Sequence, residues 1–214
     1  MVTSRHRERL EKVVHALRVS GSKSVLDLGC GPGELMSLLA AENRFTKIAG
    51  VDTSLEVLAE AGRRLASEER YRRKVHLSLH HASFTVLLGE LTDFDAVVMV
   101  ETIEHVEPRR LSAVERTVFA GYRPKTVLIT TPNREYNVLH GVPEGGFRHR
   151  DHRFEWPRGK FRKWSAGVAK RHGYRITFDD IGDVDPELGS STQMATFSRR
   201  DGGERQQPNG DAKG

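Results

Sequence analysis

The sequence predicts an α/β fold: a mostly parallel, seven-stranded sheet with helices on both faces. Three observations carry this. Short apolar runs alternate with helical periods in a βαβα order through the first half of the chain. Those runs are continuously apolar rather than alternating, the pattern of strands buried on both faces. A glycine-rich turn, "LDLGCGPGE", joins the first run to the helix after it, as at the carboxyl edge of a parallel sheet that takes a ligand.

Taken in order, residues 4–19 carry Leu10, Val13, Val14 and Leu17 at helical spacing with charge on the other side, predicting an amphipathic helix. "KSVLDLG" reads as a buried strand, "ELMSLLAAE" as a helix and "KIAGVD" as a strand. "SLEVLAEAGRRLASEE" follows as a helix capped by Ser54 or Thr53. "VHLSLH", "FDAVVMV" and "TVLITT" supply further strands. The helix "EPRRLSAVERTVFAGY" has Pro108 in its first turn, where proline is tolerated. "PRGKFRKWSAGVAKRHGY" reads as a helix ending at Gly173, followed by "YRITFDDIG" and "STQMATFS" as closing strands.

At 214 residues the chain is long enough for one domain with a sizeable core and too short for two ordinary ones. That domain is expected over residues 1–200, with a disordered tail over 201–214, rich in Gly, Gln and charge. The single cysteine, Cys30, excludes an internal disulfide, and no apolar leader or membrane-spanning stretch is legible, so a cytoplasmic protein is expected. The formal net charge of +5 is mild but unevenly spread. Between Arg148 and Arg175 lie Arg148, Arg150, Arg153, Arg158, Lys160, Arg162, Lys163, Lys170, Arg171 and Arg175, against only Asp151 and Glu155, and phosphates are their natural partners. Among the interleaved aromatics, Trp164 is expected in the core, with Phe154 and Trp156 open to either role. A second basic run, "RYRRK" at 70–74, reads as a solvated helix end.

In the glycine turn, Gly29, Gly31 and Gly33 are spaced two apart, with Asp27 just before them. Such a turn lets the backbone approach a nucleotide-like cofactor beside a helix N-terminus. A dinucleotide fingerprint needs its third glycine three residues after the second, and here Glu34 would be an odd neighbour for a pyrophosphate. Asp52 ends the second strand, where an acid can accept hydrogen bonds from both hydroxyls of a ribose. The combination resembles the S-adenosylmethionine (AdoMet) loop of the class I methyltransferase, Rossmann-like fold. The resemblance implies that Asp27 approaches the cofactor's amino group, that Gly29, Gly31 and Gly33 line it, that Asp52 binds its ribose, and that Ser83 lies near adenine. Cys30 reads as a small loop residue rather than a nucleophile.

After the fourth strand, "VETIEHVEP" places Glu101, Glu104 and His105 together, and a helical turn there would bring positions three and four apart onto one face, where a metal ion could bind. The later stretch "GGFRHRDHRFEW" holds His149, Asp151, His152, Phe154, Glu155 and Trp156. Glu101-x-x-Glu104-His105 with Asp151-His152-x-Phe154-Glu155-Trp156 resembles the Hen-type small-RNA 3′-terminal 2′-O-methyltransferases and their bacterial RNA-repair relatives. That resemblance implies a catalytic metal held by Glu101, Glu104, His105 and His152, with Mn2+ as the ion or another divalent metal such as Mg2+ or Co2+. Asp151 is placed to orient His152, and His149 is a weaker ligand candidate. Mixed carboxylate and imidazole donors suit Mn2+, Fe2+, Co2+ or Zn2+ better than Ca2+ or Mg2+. The implied activity is methylation of the 2′-hydroxyl of the 3′-terminal nucleotide of RNA, the metal chelating the 2′- and 3′-hydroxyls, with a neutral His152 as the candidate proton acceptor. The implied partners are an RNA 3′ end and an RNA-repair kinase-phosphatase-ligase, with no membrane and no DNA. Relatives carry an extra upstream domain, so the chain reads as a fragment or a free-standing version. A small-molecule O-methyltransferase on the same fold is the alternative.

Overall fold

The computed structural model describes residues 4–67 and 75–200. The expected tail from Asp201, the basic run at 70–74 and the last residues of the helix expected over 54–69 lie outside the described residues. Helix α1 (Ser4–Val19) buries Leu10, Val13, Val14 and Leu17, the four residues whose spacing predicts it. Then come β1 (Ser24–Leu28), α2 (Glu34–Ala40), β2 (Lys47–Asp52), α3 (Leu55–Ser67), β3 (His76–His81) and β4 (Ala96–Val100). Ser54 caps α3, its hydroxyl accepting from the Val57 amide at 3.3 Å. Helix α4 (Leu111–Glu115) follows a turn at Pro108–Arg110 and runs on with wider, π-type winding through Tyr122. The chain closes with β5 (Thr126–Pro132), a 3-10 turn at Arg134–His140, α5 (Arg158–His172), β6 (Tyr174–Asp185) and β7 (Gly189–Arg199).

The seven strands lie in the order β3-β2-β1-β4-β5-β7-β6. All pairings from β3 to β5 are parallel, and β7 runs antiparallel to both β5 and β6. Adjacent residues of one central strand feed opposite cores, which is why β4 is apolar throughout and β1, β2 and β5 are mostly so, whereas the outer β3 and β6 carry polar residues. Leu26, Val97 and Ile129 pack with α4 and α5 residues such as Val114, Phe161 and Val168, whereas Val25, Ala96 and Leu128 pack with α1, α2 and α3. Among the described residues no helix is long and apolar enough to cross a membrane.

The closing hairpin is longer than the sequence predicts. Asp185 Oδ1 accepts from the amides of Glu187 and Leu188, and Gly189 takes φ 74°, so a tight turn extends both strands past 182 and before 191. Because β1 sits between β2 and β4, the chain reverses its direction of growth there, and the loops leaving β1 and β4 meet at the carboxyl edge. A Cβ on Gly29 would fall 2.5 Å from Cγ2 of Thr102, which is how closely they meet.

Candidate active site

The loop after β1 is built by left-handed glycines: Gly29 at φ 79°, Gly31 at 53° and Gly33 at 78°. Gly29 is pinned against Thr102, but a Cβ on Gly31 would meet nothing within 4 Å, so the loop opens onto free space at its middle. The Asp52 carboxylate fastens that loop to β2, Oδ2 accepting from the Gly31 amide at 3.1 Å and Oδ1 from the Ser54 amide at 2.9 Å. Asp27 is 2% exposed, and burial together with the nearby Asp52 charge pushes its carboxyl up to about 7. An opposite charge, such as an ammonium, is what this pocket would stabilise. Ser83 closes a small turn with Thr85, accepting from the Thr85 amide at 3.3 Å, next to Ala82, whose amide bonds the Asp52 carbonyl. Burial raises the Cys30 thiol far above its ordinary range, consistent with a packing role.

The segment after β4 departs from the helical turn considered above. Glu101 adopts φ 50°, a left-handed conformation that costs a non-glycine residue energy, and only then does a 3-10 turn form over Ile103–His105. Glu101 and Glu104 therefore do not share a helix face. Glu101 is instead held by Thr130, whose hydroxyl donates to Oε1 at 3.0 Å, and by Arg9 of α1, with Nη2 3.2 Å from Oε2.

The 3-10 turn is docked on the Arg148–Trp156 segment. The Glu104 carbonyl accepts from the Arg153 amide at 2.7 Å and more weakly from that of Phe154. This docking brings Glu104, His105 and His152 together, with one ligand atom from each within 4.8 Å of the others. Glu104 is fully buried; Oε2 accepts from Thr131 Oγ1 at 3.0 Å, and Oε1 has no partner. Burial, reinforced by the Glu101 charge, raises the Glu104 carboxyl well above its ordinary range. Burial and the neighbouring His152 lower the His105 imidazole, favouring the neutral form that binds metals. An orphaned buried carboxylate oxygen beside two imidazoles fits a divalent cation, and the O/N donor set suits Mn2+ and its neighbours. Of the four residues expected as ligands, three converge; Glu101 stands beside them, engaged by Arg9 and Thr130.

Several side chains behave differently from expectation. Glu155, not Asp151, bonds His152: Nδ1 lies 2.5 Å from Glu155 Oε1, while Asp151 is exposed and lies beside His149 and Arg150. With Nδ1 taken by Glu155, a metal-bound His152 has no nitrogen left to accept a proton, so that role falls. The His149 ring centroid lies 6.1 Å from that of His105 and 5.7 Å from that of His152, at the cluster's margin. Arg148 is not a phosphate contact but an internal strut, bonding Asn137, Ser191 and the Asn133 carbonyl. Arg158 is committed to Glu135 and Arg171 to Glu115, which leaves Lys160, Arg162, Lys163 and Lys170 as exposed cations along α5, Lys160 lying over the Trp156 ring and Arg162 over that of Phe178. Phe154 and Trp156 are buried and stacked at 4.3 Å, and Trp164 packs against the same core.

Sequence reasoning missed Arg9 and His6, which ride on the polar face of α1 and reach Glu101 and Glu34 respectively. The only trace is their spacing of three on a helix whose apolar stripe is plain.

The sheet order and the glycine loop with its two aspartates define a class I AdoMet-dependent methyltransferase fold, and a family model described as a methyltransferase domain matches residues 25–125. The crystal structure of the methyltransferase domain of bacterial CtHen1-CN is 40% identical, with a TM-score of 0.81 over 91% of this chain and 100% of that one, and the small RNA 2′-O-methyltransferase of Arabidopsis thaliana is 32% identical over 90% of this chain. The chain belongs to the Hen-type small-RNA 2′-O-methyltransferase family. It spans 22% of the length of the Arabidopsis protein. The structure of the Pnkp1/Rnl/Hen1 RNA repair complex, 20% identical with a TM-score of 0.67 over 93% of this chain and 42% of that one, agrees in fold.

Proposed function

We propose that this protein transfers the methyl group of AdoMet to the 2′-hydroxyl of the 3′-terminal nucleotide of RNA, with a divalent cation, Mn2+ foremost, held by Glu104, His105 and His152 and completed by Glu101. The observation that carries this reading is the buried, partnerless Glu104 Oε1 in a cluster with two imidazoles, at the edge where the cofactor loop also opens. When bound, the cation polarises the hydroxyl that attacks the methyl group and orients it.

The chain's own residues supply the rest. Asp27 receives the cofactor's amino group, and Asp52, already fixed by two backbone amides, offers its remaining lone pairs to the ribose hydroxyls. Ser83, on the turn beside Asp52, lies toward the adenine. Thr130 and Arg9 hold Glu101 at the rim of the cluster, and Thr131 holds Glu104. Lys160, Lys163 and Lys170 give the RNA backbone a sequence-independent attraction.

An RNA-repair kinase-phosphatase-ligase partner and a cytoplasmic setting belong to the same proposal; a chain of the Pnkp1/Rnl/Hen1 RNA repair complex has this fold. The test is transfer of labelled methyl from AdoMet to a short synthetic RNA after chelation, with Mn2+ then restored. Transfer should vanish and return, and alanine at Glu101, Glu104, His105 or His152 should abolish it while AdoMet still binds. Full activity in chelator, or in His152→Ala at low Mn2+, contradicts the reading.

A further inference from the structure

We propose that Glu155 is the positioning residue of the metal site: it fixes His152 with its proton on Nδ1 and so presents Nε2 to the cation. This rests on the metal reading above and adds to it a residue outside the ligand set.

The Glu155 side chain is fully buried, and each oxygen is assigned. Oε1 accepts from the Arg148 amide at 2.7 Å and is bonded to His152 Nδ1, while Oε2 accepts from Asn137 Nδ2 at 2.5 Å. Both oxygens already accept from N–H donors, Oε1 from the backbone amide and Oε2 from the Asn137 side chain, the pattern of a carboxylate that carries no proton. An ionised carboxylate can only accept, so the shared hydrogen belongs to the imidazole. His152 thus carries its proton on Nδ1, and its lone pair sits on Nε2, the nitrogen left for the cluster with Glu104 and His105.

Oε1, the oxygen that meets His152, is held by the Arg148 backbone amide, and the polar lattice around it is anchored in the sheet. Asn137 Oδ1 accepts from Arg148 Nε at 2.6 Å, and Arg148 Nη1 reaches the Ser191 carbonyl at 2.8 Å. Asn133 in turn donates from Nδ2 to the carbonyls of Leu188 and Ser190. A histidine outside any helix or strand is thereby given one tautomer and one ring orientation, tied to the ends of β5 and β7. A carboxylate in this relation raises the basicity of the ligating nitrogen as well as aiming it.

A purely structural role, in which Glu155 serves only this buried polar lattice, predicts something different, and two readouts separate the two roles. The first needs no variant: two-bond 1H–15N correlation spectra of histidine-labelled protein report which nitrogen of His152 bears the proton, and Nδ1–H is expected. The second is Mn2+ affinity by electron paramagnetic resonance. Glu155→Gln should weaken Mn2+ binding by about 10- to 100-fold, with S-adenosylhomocysteine affinity unchanged. Asn137→Ala disturbs the lattice but spares the Glu155–His152 bond, so it should lower the melting temperature and leave Mn2+ affinity within a few-fold. A proton on Nε2, Mn2+ affinity unaltered in Glu155→Gln, or Asn137→Ala weakening Mn2+ as much as Glu155→Gln would each overturn the proposal. Failure of the wild type to bind Mn2+ would instead remove the metal reading, and this inference with it.

Discussion

Replacing Asp27 with asparagine should stabilise the cofactor-free protein and cripple cofactor binding, with a pH dependence that follows from burial. In the folded chain the carboxyl rises from its ordinary 3.8 to about 7 because burial and Asp52 disfavour its charge. Between those values the unfolded chain has lost the proton and the folded chain has kept it, so the folded state binds more protons and stability falls as pH rises. Below pH 3.8 the penalty is absent; above about 7 it is complete. At about 1.4 kcal/mol per pH unit, the full penalty is roughly 4 kcal/mol, and Asp27→Asn lacks it. For a domain of this size, that corresponds to a melting temperature higher by on the order of 10 °C at pH 8, shrinking to little at pH 4. The cofactor arm runs oppositely. Wild-type affinity for S-adenosylhomocysteine should weaken as pH drops below about 7, and the variant should bind at least about tenfold more weakly at pH 8, through loss of a charged hydrogen bond. Thermal melts from pH 4 to 8 without cofactor, paired with calorimetric titrations, measure both. Parallel melting curves, or unchanged cofactor affinity in the variant, would refute the reasoning.

The cofactor loop and the RNA face give further expectations. Gly31→Ala should cost stability by only about 1–3 kcal/mol through its positive φ, yet abolish calorimetric AdoMet binding, because the new methyl group occupies the open space. Gly29→Ala should unfold or destabilise the protein more, since its Cβ would lie 2.5 Å from Thr102 Cγ2; equal melting temperatures for the two variants would contradict this. Arg9→Ala, which frees Glu101 and removes a partly buried cation, should cost on the order of 1–3 kcal/mol in chemical denaturation. Lys160, Lys163 and Lys170 changed together to alanine should weaken RNA binding uniformly across sequences and flatten its dependence on salt, measured by fluorescence anisotropy, without changing AdoMet affinity.

Much of the fold could be read from the sequence because burial on both sheet faces leaves continuous apolar runs, and because Leu10, Val13, Val14 and Leu17 or the turn at Gly29–Gly33 leave local signatures. The candidate site was legible as motifs but not as geometry. Nothing local announces that Glu101 turns left-handed, or that Arg9 arrives from a helix 92 positions away to hold it. Asp151 is the nearer neighbour of His152 in sequence, yet a turn in which the His152 amide bonds the His149 carbonyl points Asp151 outward and lets Glu155 fold back. Charge counting likewise could not tell Arg148, half-buried as a strut, from Lys163, left in solvent; that distinction is made only by the long-range packing of β5, β7 and the loop between β5 and α5.

The central claim, methyl transfer to a terminal 2′-hydroxyl at the Glu104–His105–His152 cluster, is tested most directly by single-turnover methylation of matched RNAs ending in ribose, 3′-deoxyribose or 3′-phosphate, at saturating AdoMet and Mn2+. If the terminal pair of hydroxyls is what the site recognises, the ribose-ended RNA alone should react, at its last nucleotide and never at internal 2′-hydroxyls, whose neighbouring 3′-oxygens are esterified. If the lysines of α5 contact phosphates rather than the end, as proposed, the blocked RNAs should still bind, losing rate far more than affinity. Comparable rates on all three ends, or methyl groups found at internal positions, would contradict the account.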